Sequence, residues 1–138
     1  MQKDKQNTAT SGDIAQSILT AVLAWLIPGA GHLALGLWKK ALIFAGTIYT
    51  LFIAGLFLHG HFYDLSISGE GFLHYLYGLF NLGTGFIYMA CYGTGSAMIE
   101  YPEQSTFEYG NVCLLFAGLL NLLVMFNAYD LKVERSSS

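Results

Sequence analysis

Charged residues are scarce in this chain of 138 residues: Asp, Glu, Lys and Arg make up 11% of it, against about 25% in soluble domains. Only six residues are basic, and the net charge is −3. No basic patch is available to neutralise phosphates, which argues against nucleic acid as a partner. Three long stretches carry no charge at all: those between Lys40 and Asp64, between Glu70 and Glu100, and between Glu108 and Asp130. Each can cross a hydrocarbon core as a helix of about 20 residues, which excludes an ordinary soluble domain.

Cysteine and catalytic motifs are also nearly absent. Cys91 and Cys113 both lie in apolar stretches, without a second Cys or a His at metal-ligand spacing, so we interpret them as core residues. The sequence has no G-x-S-x-G, no H-E-x-x-H and no Walker loop. No charged residue lies in the middle of a span, where ion-coupled transporters carry them. These absences predict a protein that is not an enzyme and holds no cofactor.

The apolar stretches predict an all-α, polytopic helical membrane protein with four helices. Its single domain covers residues 13–131, between a flexible polar tail (1–12) and a short polar tail (132–138). Three helices are expected to be full spans, at about residues 37–58, 72–99 and 106–129, and a capping box at Ser105 and Glu108 starts the last. The first helix, capped by Asp13 and ending near Ile27, is about 21 Å long against a core of about 30 Å. It either crosses a thinned bilayer or re-enters, and we favour crossing because a partial helix must satisfy its ends within lipid.

Basic residues near the spans predict the orientation, because they favour the cytoplasmic side. If the first helix crosses, Lys3, Lys5, Lys132 and Arg135 share one side against Lys39 and Lys40. If it re-enters, Lys3, Lys5, Lys39 and Lys40 share one side against Lys132 and Arg135. Both arrangements place the amino terminus in the cytoplasm, and we expect the protein in the bacterial inner membrane.

Small residues and amides predict where the helices pack, because lipid supplies no hydrophobic drive between them. The predicted helix-packing residues are Gly46, Asn81, Gly83, Gly85, Gly93, Gly118 and Asn121. An unpaired amide deep in lipid costs several kcal/mol, roughly. We therefore expect Asn81 and Asn121 to find partners, with each other as one candidate pairing. The alternative is that these amides line a pore or a substrate site.

The most distinctive segment is the turn PGAGHLALGLWKKA at residues 28–41. Its predicted functional residues are Pro28, Gly29, Gly31, His32 and Gly36. We interpret it as a tight connection between helices, in which glycines let backbones approach and His32 hydrogen-bonds carbonyls at the helix break. Binding of a ligand or metal by His32 is the alternative interpretation.

This segment resembles the P-G-x-G-H-x-Y-x-G turn of small bacterial multi-pass membrane proteins of unknown function, which are distantly similar to the two-transmembrane-helix domain family. The resemblance covers residues 14–50, and Ala34 stands where that family usually has Tyr. The sequence Asn127-Ala128-Tyr129-Asp130 is similar to the ending of the last helix in such proteins. The resemblance implies a helical membrane architecture and no known catalysis.

Histidines are concentrated around the second loop, where His59, His61, Asp64 and His74 belong to one membrane face. Together they could bind a divalent metal, or one His could ligate a tetrapyrrole of the haem or chlorophyll type. Their spacing matches no standard metal motif, so histidines that simply face interfacial water are the favoured interpretation.

Three functions are compatible with these features. The leading hypothesis is a non-enzymatic accessory or scaffold subunit of a larger membrane complex, because the loops are too short for a catalytic domain and several helices carry small-residue faces. Its expected partners are membrane lipids and other membrane protein subunits, or further copies of itself. One alternative is a homo-oligomeric channel or carrier for small solutes, which needs Asn81 and Asn121 along a wet path. The other is a cofactor-holding membrane subunit that uses the histidines.

Overall fold

The computed structural model describes residues 11–63, 71–95, 103 and 105–137. In this part of the chain it contains six helices and no strand. They are α1 (Ser11–Leu26), α2 (Ala30–Ala34), α3 (Trp38–Phe57), α4 (Gly71–Leu82), α5 (Phe86–Thr94) and α6 (Phe107–Ser137). The predicted all-helical class is therefore confirmed for the described residues. The terminal segment 132–137, predicted as a polar tail, continues α6 as helix.

Two of the described helices, α3 and α6, are long and apolar enough to cross a membrane. The prediction of three full spans is wrong, because the stretch 72–99 does not form one helix. α4 ends at Leu82 and α5 begins at Phe86, while residues 96–99 lie outside the described part. The break occurs where Gly85 adopts φ 62° and ψ −122°, a conformation that residues with a Cβ rarely adopt. A stretch of sequence without charged residues indicates a hydrophobic segment, but it does not show whether the helix breaks within that segment.

α6 is the central helix of the fold, and α3 packs against it in the antiparallel direction. Ile48 near the middle of α3 packs with Val124 and Ala117 of α6. Further along α3, Gly55 lies against Gly110 near the start of α6. α3 therefore begins at the carboxyl end of α6 and ends at its amino end.

α1 and α2 form a first hairpin (residues 11–34) that extends only half-way along α6. The tip of α1 meets α6 at Asn121, which bonds to Trp25, whereas Leu35 directly after α2 bonds to Arg135 near the end of α6. α2 folds back along α1, because Gly31 lies against Ala24. α1 and α3 thus begin at the same end of α6. Of the two sequence-based alternatives, the chain direction fits re-entry rather than the favoured crossing.

α4 and α5 form a second hairpin (residues 71–94), which extends along α6 from the amino end of that helix. Near the start of α4, the rings of His74 and Tyr77 pack on Tyr63, which lies beside the start of α6. The tip at Gly83 reaches the middle of α6. In α5, the Tyr88 hydroxyl donates to the Tyr63 carbonyl oxygen at 3.2 Å, so the chain turns back toward the end from which α4 came.

The four described basic residues lie together at one end of the molecule, which we call the basic end. Lys39 and Lys40 lie in the first turn of α3, and Lys132 and Arg135 belong to the last turns of α6. Because α3 and α6 are antiparallel, these two helix termini are neighbours. The sequence-based division of four basic residues against two assumed three or four spans, whereas two of the described helices are long enough to span.

Candidate functional site: the junction of the two hairpins

The tips of the two hairpins meet at Asn121 of α6. This side chain is fully buried, and its Nδ2 donates to the carbonyl oxygens of Trp25 and Gly83, both at 2.8 Å. These carbonyls lie at the ends of α1 and α4, where a helix lacks internal partners for its last carbonyl groups. A single amide therefore joins three elements; we call this contact the junction.

Two further side chains satisfy the backbone at the break. The indole nitrogen of Trp25 donates to the Leu82 carbonyl oxygen at 3.1 Å, and this bond ties the first hairpin directly to the second. The Thr84 hydroxyl donates to the Asn81 carbonyl oxygen at 2.7 Å. The helix break is thus supplied with donors from within the protein, as a buried backbone requires.

Glycines permit the close approach at the junction. A methyl group on Gly85 would overlap the Trp25 carbonyl oxygen, and one on Gly118 would overlap the Phe80 carbonyl oxygen. A Cβ on Gly83 would lie 2.6 Å from the Gly118 carbonyl oxygen. Backbone therefore packs on backbone where α6, α1 and the second hairpin meet.

Gly46 and Gly93, also predicted to pack helices, lie elsewhere. Among the described residues, a Cβ at either position would meet no atom of another element within 4 Å, and both glycines are exposed.

Asn81 is buried, but the candidate hydrogen bond between Asn81 and Asn121 is not formed. Neither side-chain polar atom of Asn81 has a hydrogen-bond partner among the described residues, and the same holds for Asn121 Oδ1. Asn121 Nδ2 donates instead to the carbonyl oxygens at the two helix ends. The sequence-based pairing of the two amides did not consider the carbonyl groups of broken helices as partners.

The turn motif fastens the first hairpin to α6. His32 is fully buried, its Nε2 lies 2.9 Å from Asn127 Oδ1, and its ring packs edge-on against Phe44 at 5.0 Å. The turn and the end of the last helix, 95 residues apart in the chain, are therefore in contact. Gly36 has φ 73° and closes the turn, because the Leu37 amide donates back to the His32 carbonyl oxygen at 2.8 Å.

The histidines of the second loop are distributed over different environments. His59 is exposed with φ 62° after the end of α3, whereas the buried His61 donates its backbone N–H to Asn111 Oδ1 at 2.7 Å. The ring of His74 packs against Tyr63, and Asp64 lies outside the described residues. Among the residues described, no group of three or more His, Cys, Asp or Glu side chains could hold a metal ion.

Sequence reasoning missed the hydrogen bonds that Trp25 makes at the junction. The available signal was its position just before Pro28 and Gly29, because an indole donor beside a helix end lies near carbonyls without partners. The contact of Gly60 with Gly110 was also missed.

Two spanning-length helices with two half-length hairpins joined at an asparagine define this protein as a small, all-helical bundle. The chain belongs to the family of unknown function DUF6677, whose profile matches residues 19–137. The match includes both hairpin tips and Asn121. No curated protein and no solved structure matches this chain.

Proposed function

We propose that this protein is an integral membrane protein and serves as a non-enzymatic accessory or scaffold subunit of a larger membrane complex. The observation that carries the proposal is the outward apolar surface of the two long helices. Each of these helices contains an apolar stretch of 18 residues, and only 17% of this stretch in α3 and 33% in α6 is buried within the protein. A core helix of a soluble protein would be mostly buried, so lipid or protein must cover these faces.

A bilayer also accounts for the bonds at the junction. Irregular backbone at membrane depth is tolerated only where protein or a wet cavity surrounds it. Asn121 and Trp25 supply donors to the helix ends at this level. The half-length hairpins would then be re-entrant segments that dip in from opposite faces.

The basic end gives the proposed orientation. The described basic residues all lie there, and Lys3 and Lys5 precede the start of α1 in the sequence. If the basic end faces the cytoplasm of a bacterial cell, all the Lys and Arg residues would lie on the cytoplasmic side, as the positive-inside rule favours. The proposed location is the inner membrane with both termini in the cytoplasm.

The outer face of α3 is the proposed surface for a partner subunit. Gly46 and Thr50 lie on it as exposed small residues, among large apolar side chains such as Ile43 and Ile53. Small residues let a second transmembrane helix approach closely. Among the buried polar side chains, those of His32, Asn111 and Asn121 hydrogen-bond to distant segments of this chain, which supports a structural rather than a catalytic role.

Purification from native membranes in a mild detergent tests this proposal, followed by mass spectrometry of the intact complex. We expect a heteromeric assembly of fixed stoichiometry that is lost in Gly46→Leu and kept in the matched variant Gly93→Leu. A pure monomer, or an assembly indifferent to Gly46→Leu, would contradict the scaffold role.

The second candidate is a small-solute channel or carrier, favoured by the meeting of two hairpins from opposite ends. Broken helices at mid-membrane are typical of transporters, whose substrate sites lie near them. This function predicts a homo-oligomer and a solute flux in proteoliposomes that Gly85→Ala changes. The absence of flux in a pure homo-oligomer would rule it out.

A further inference from the structure

A groove runs along the surface between α3 and α6 and ends near the basic end. It has a volume of about 410 Å³ and is lined mainly by apolar side chains of both helices, Ile43 and Phe44 of α3 among them. Its size is in the range of ligand sites, which are mostly apolar with a few placed polar groups. Asn127 and Thr47 are the two polar residues of this lining.

Asn127 offers a hydrogen-bond donor at one end of the groove. Its Oδ1 is engaged with His32 Nε2 at 2.9 Å, which leaves Nδ2 as the donor for a ligand. The Thr47 hydroxyl already donates to the Ile43 carbonyl oxygen at 2.9 Å. The groove therefore suits an apolar chain that carries an acceptor, such as an ester carbonyl, at the Asn127 end.

Charged residues of both signs lie beyond the Asn127 end of the groove. Lys39 and Lys40 precede Ile43 and Phe44 by four residues and so lie one turn further out on the same face of α3. On α6, Asp130 lies one turn beyond Asn127. Lys132 and Glu134 belong to the turns that follow, and Arg135 is bonded to the Leu35 carbonyl oxygen. One wall of the mouth is therefore basic, and the other presents a carboxylate.

We propose that the groove binds a phospholipid whose headgroup carries both a phosphate and a primary ammonium, as in phosphatidylethanolamine. One acyl chain lies in the groove, its ester carbonyl accepts from Asn127 Nδ2, the phosphate pairs with Lys39 and Lys40, and the ammonium pairs with Asp130. The depths agree, because Asn127 lies about 5 Å inside the charged residues, one helical turn, where the ester groups follow the headgroup. This inference rests on the proposed membrane location.

Charge complementarity selects this headgroup over the two common alternatives. An anionic glycerol headgroup has no cation for Asp130. A choline headgroup has a cation without N–H donors, so it cannot make the charge-assisted hydrogen bond that a carboxylate accepts from an ammonium.

The test is native mass spectrometry of the purified full chain with phosphatidylethanolamine, phosphatidylglycerol or phosphatidylcholine of identical acyl chains. We expect one phosphatidylethanolamine to be retained at least about fivefold more than either other lipid, the factor for one good hydrogen bond. Asp130→Asn should remove this preference, and the double variant Lys39→Gln, Lys40→Gln should weaken retention of all three lipids.

Matched variants separate the groove from general lipid contact. Thr47→Phe fills the groove and should abolish retention, whereas Val22→Phe fills a second apolar groove between α1 and α6 and should not. Equal retention of the three lipids by the native chain, or retention in Thr47→Phe, would overturn the proposal. Release of the protein from membranes by alkaline carbonate would instead show that the membrane location itself is wrong.

Discussion

At the scale of single residues, polar side chains in this protein serve broken helices. Asn121 donates to two carbonyls at helix ends, and Trp25 donates to a third. Asn81 is equally buried but has no side-chain partner among the described residues. Two asparagines of similar sequence context therefore differ in what they contribute to stability.

Replacement of Asn121 by Leu should destabilise the protein by about 2 kcal/mol, because two buried carbonyls lose their donor. Asn81→Leu is the matched control and should be neutral or stabilising, since it removes a buried amide without partners. Reversible unfolding in mixed detergent micelles measures both. Equal losses for the two variants would show that the junction bonds contribute nothing.

Gly85→Ala should cost about 2 kcal/mol or more, because its positive φ is strained for alanine and the methyl group would overlap the Trp25 carbonyl oxygen. Gly93→Ala is the control at an open helical position and should stabilise by about 0.5–1 kcal/mol. The thermal unfolding midpoint in detergent compares them. A tolerated Gly85→Ala would mean that the hairpin tips do not pack as described.

At the scale of elements, each hairpin is fastened at two levels of α6. The first hairpin is held at its tip by Asn121 and at its return by the contact of His32 with Asn127. The second is held at its tip by the same Asn121 and near its base by Tyr63, whose hydroxyl accepts from Asn111 Nδ2 at 3.2 Å. Side chains of one long helix thus determine how far both hairpins extend.

His32→Ala and Asn127→Ala should therefore be coupled. Each single variant removes the same contact, so the double variant should cost less than the sum of the two. The coupling energy should be about 0.6 kcal/mol and below about 1.7 kcal/mol, the range for hydrogen bonds between transmembrane helices. A double-mutant cycle in the detergent unfolding assay measures it, and strict additivity would argue against the bond.

At the scale of the whole molecule, the hairpins bring the basic residues to one end. Two helices of spanning length and two returning hairpins leave the starts of α1 and α3 beside the end of α6. The opposite end carries the start of α4 and that of α6. This arrangement is expected for a chain that crosses the membrane twice and not for one that crosses it four times.

Cysteine labelling in intact cells tests it, with single cysteines at Ser11, Lys39, Ser136 and Glu103 in a chain without Cys91 and Cys113. A membrane-impermeant maleimide should label only the Glu103 site before lysis. Lys39 decides between the topologies, because four crossings would expose it outside while leaving both termini in the cytoplasm. Labelling of Lys39→Cys from outside would restore a crossing α1.

The sequence was sufficient to predict the helical class, the bounds of α3 and the start of α6. The expected span 37–58 agrees with α3 (Trp38–Phe57), and the expected start near Thr106 agrees with α6 at Phe107. These agree because hydrophobicity over about 20 residues and local capping depend only on neighbours in the chain.

The break in the second hairpin and the contacts of Asn121 depend on the tertiary structure. Whether residues 72–99 continue or break depends on Gly85, whose φ becomes positive where the Trp25 backbone approaches it. The partners of Asn121 lie 96 and 38 residues away in the chain. No local pattern specifies such a contact, because it exists only when two hairpins from opposite ends reach the same level of α6.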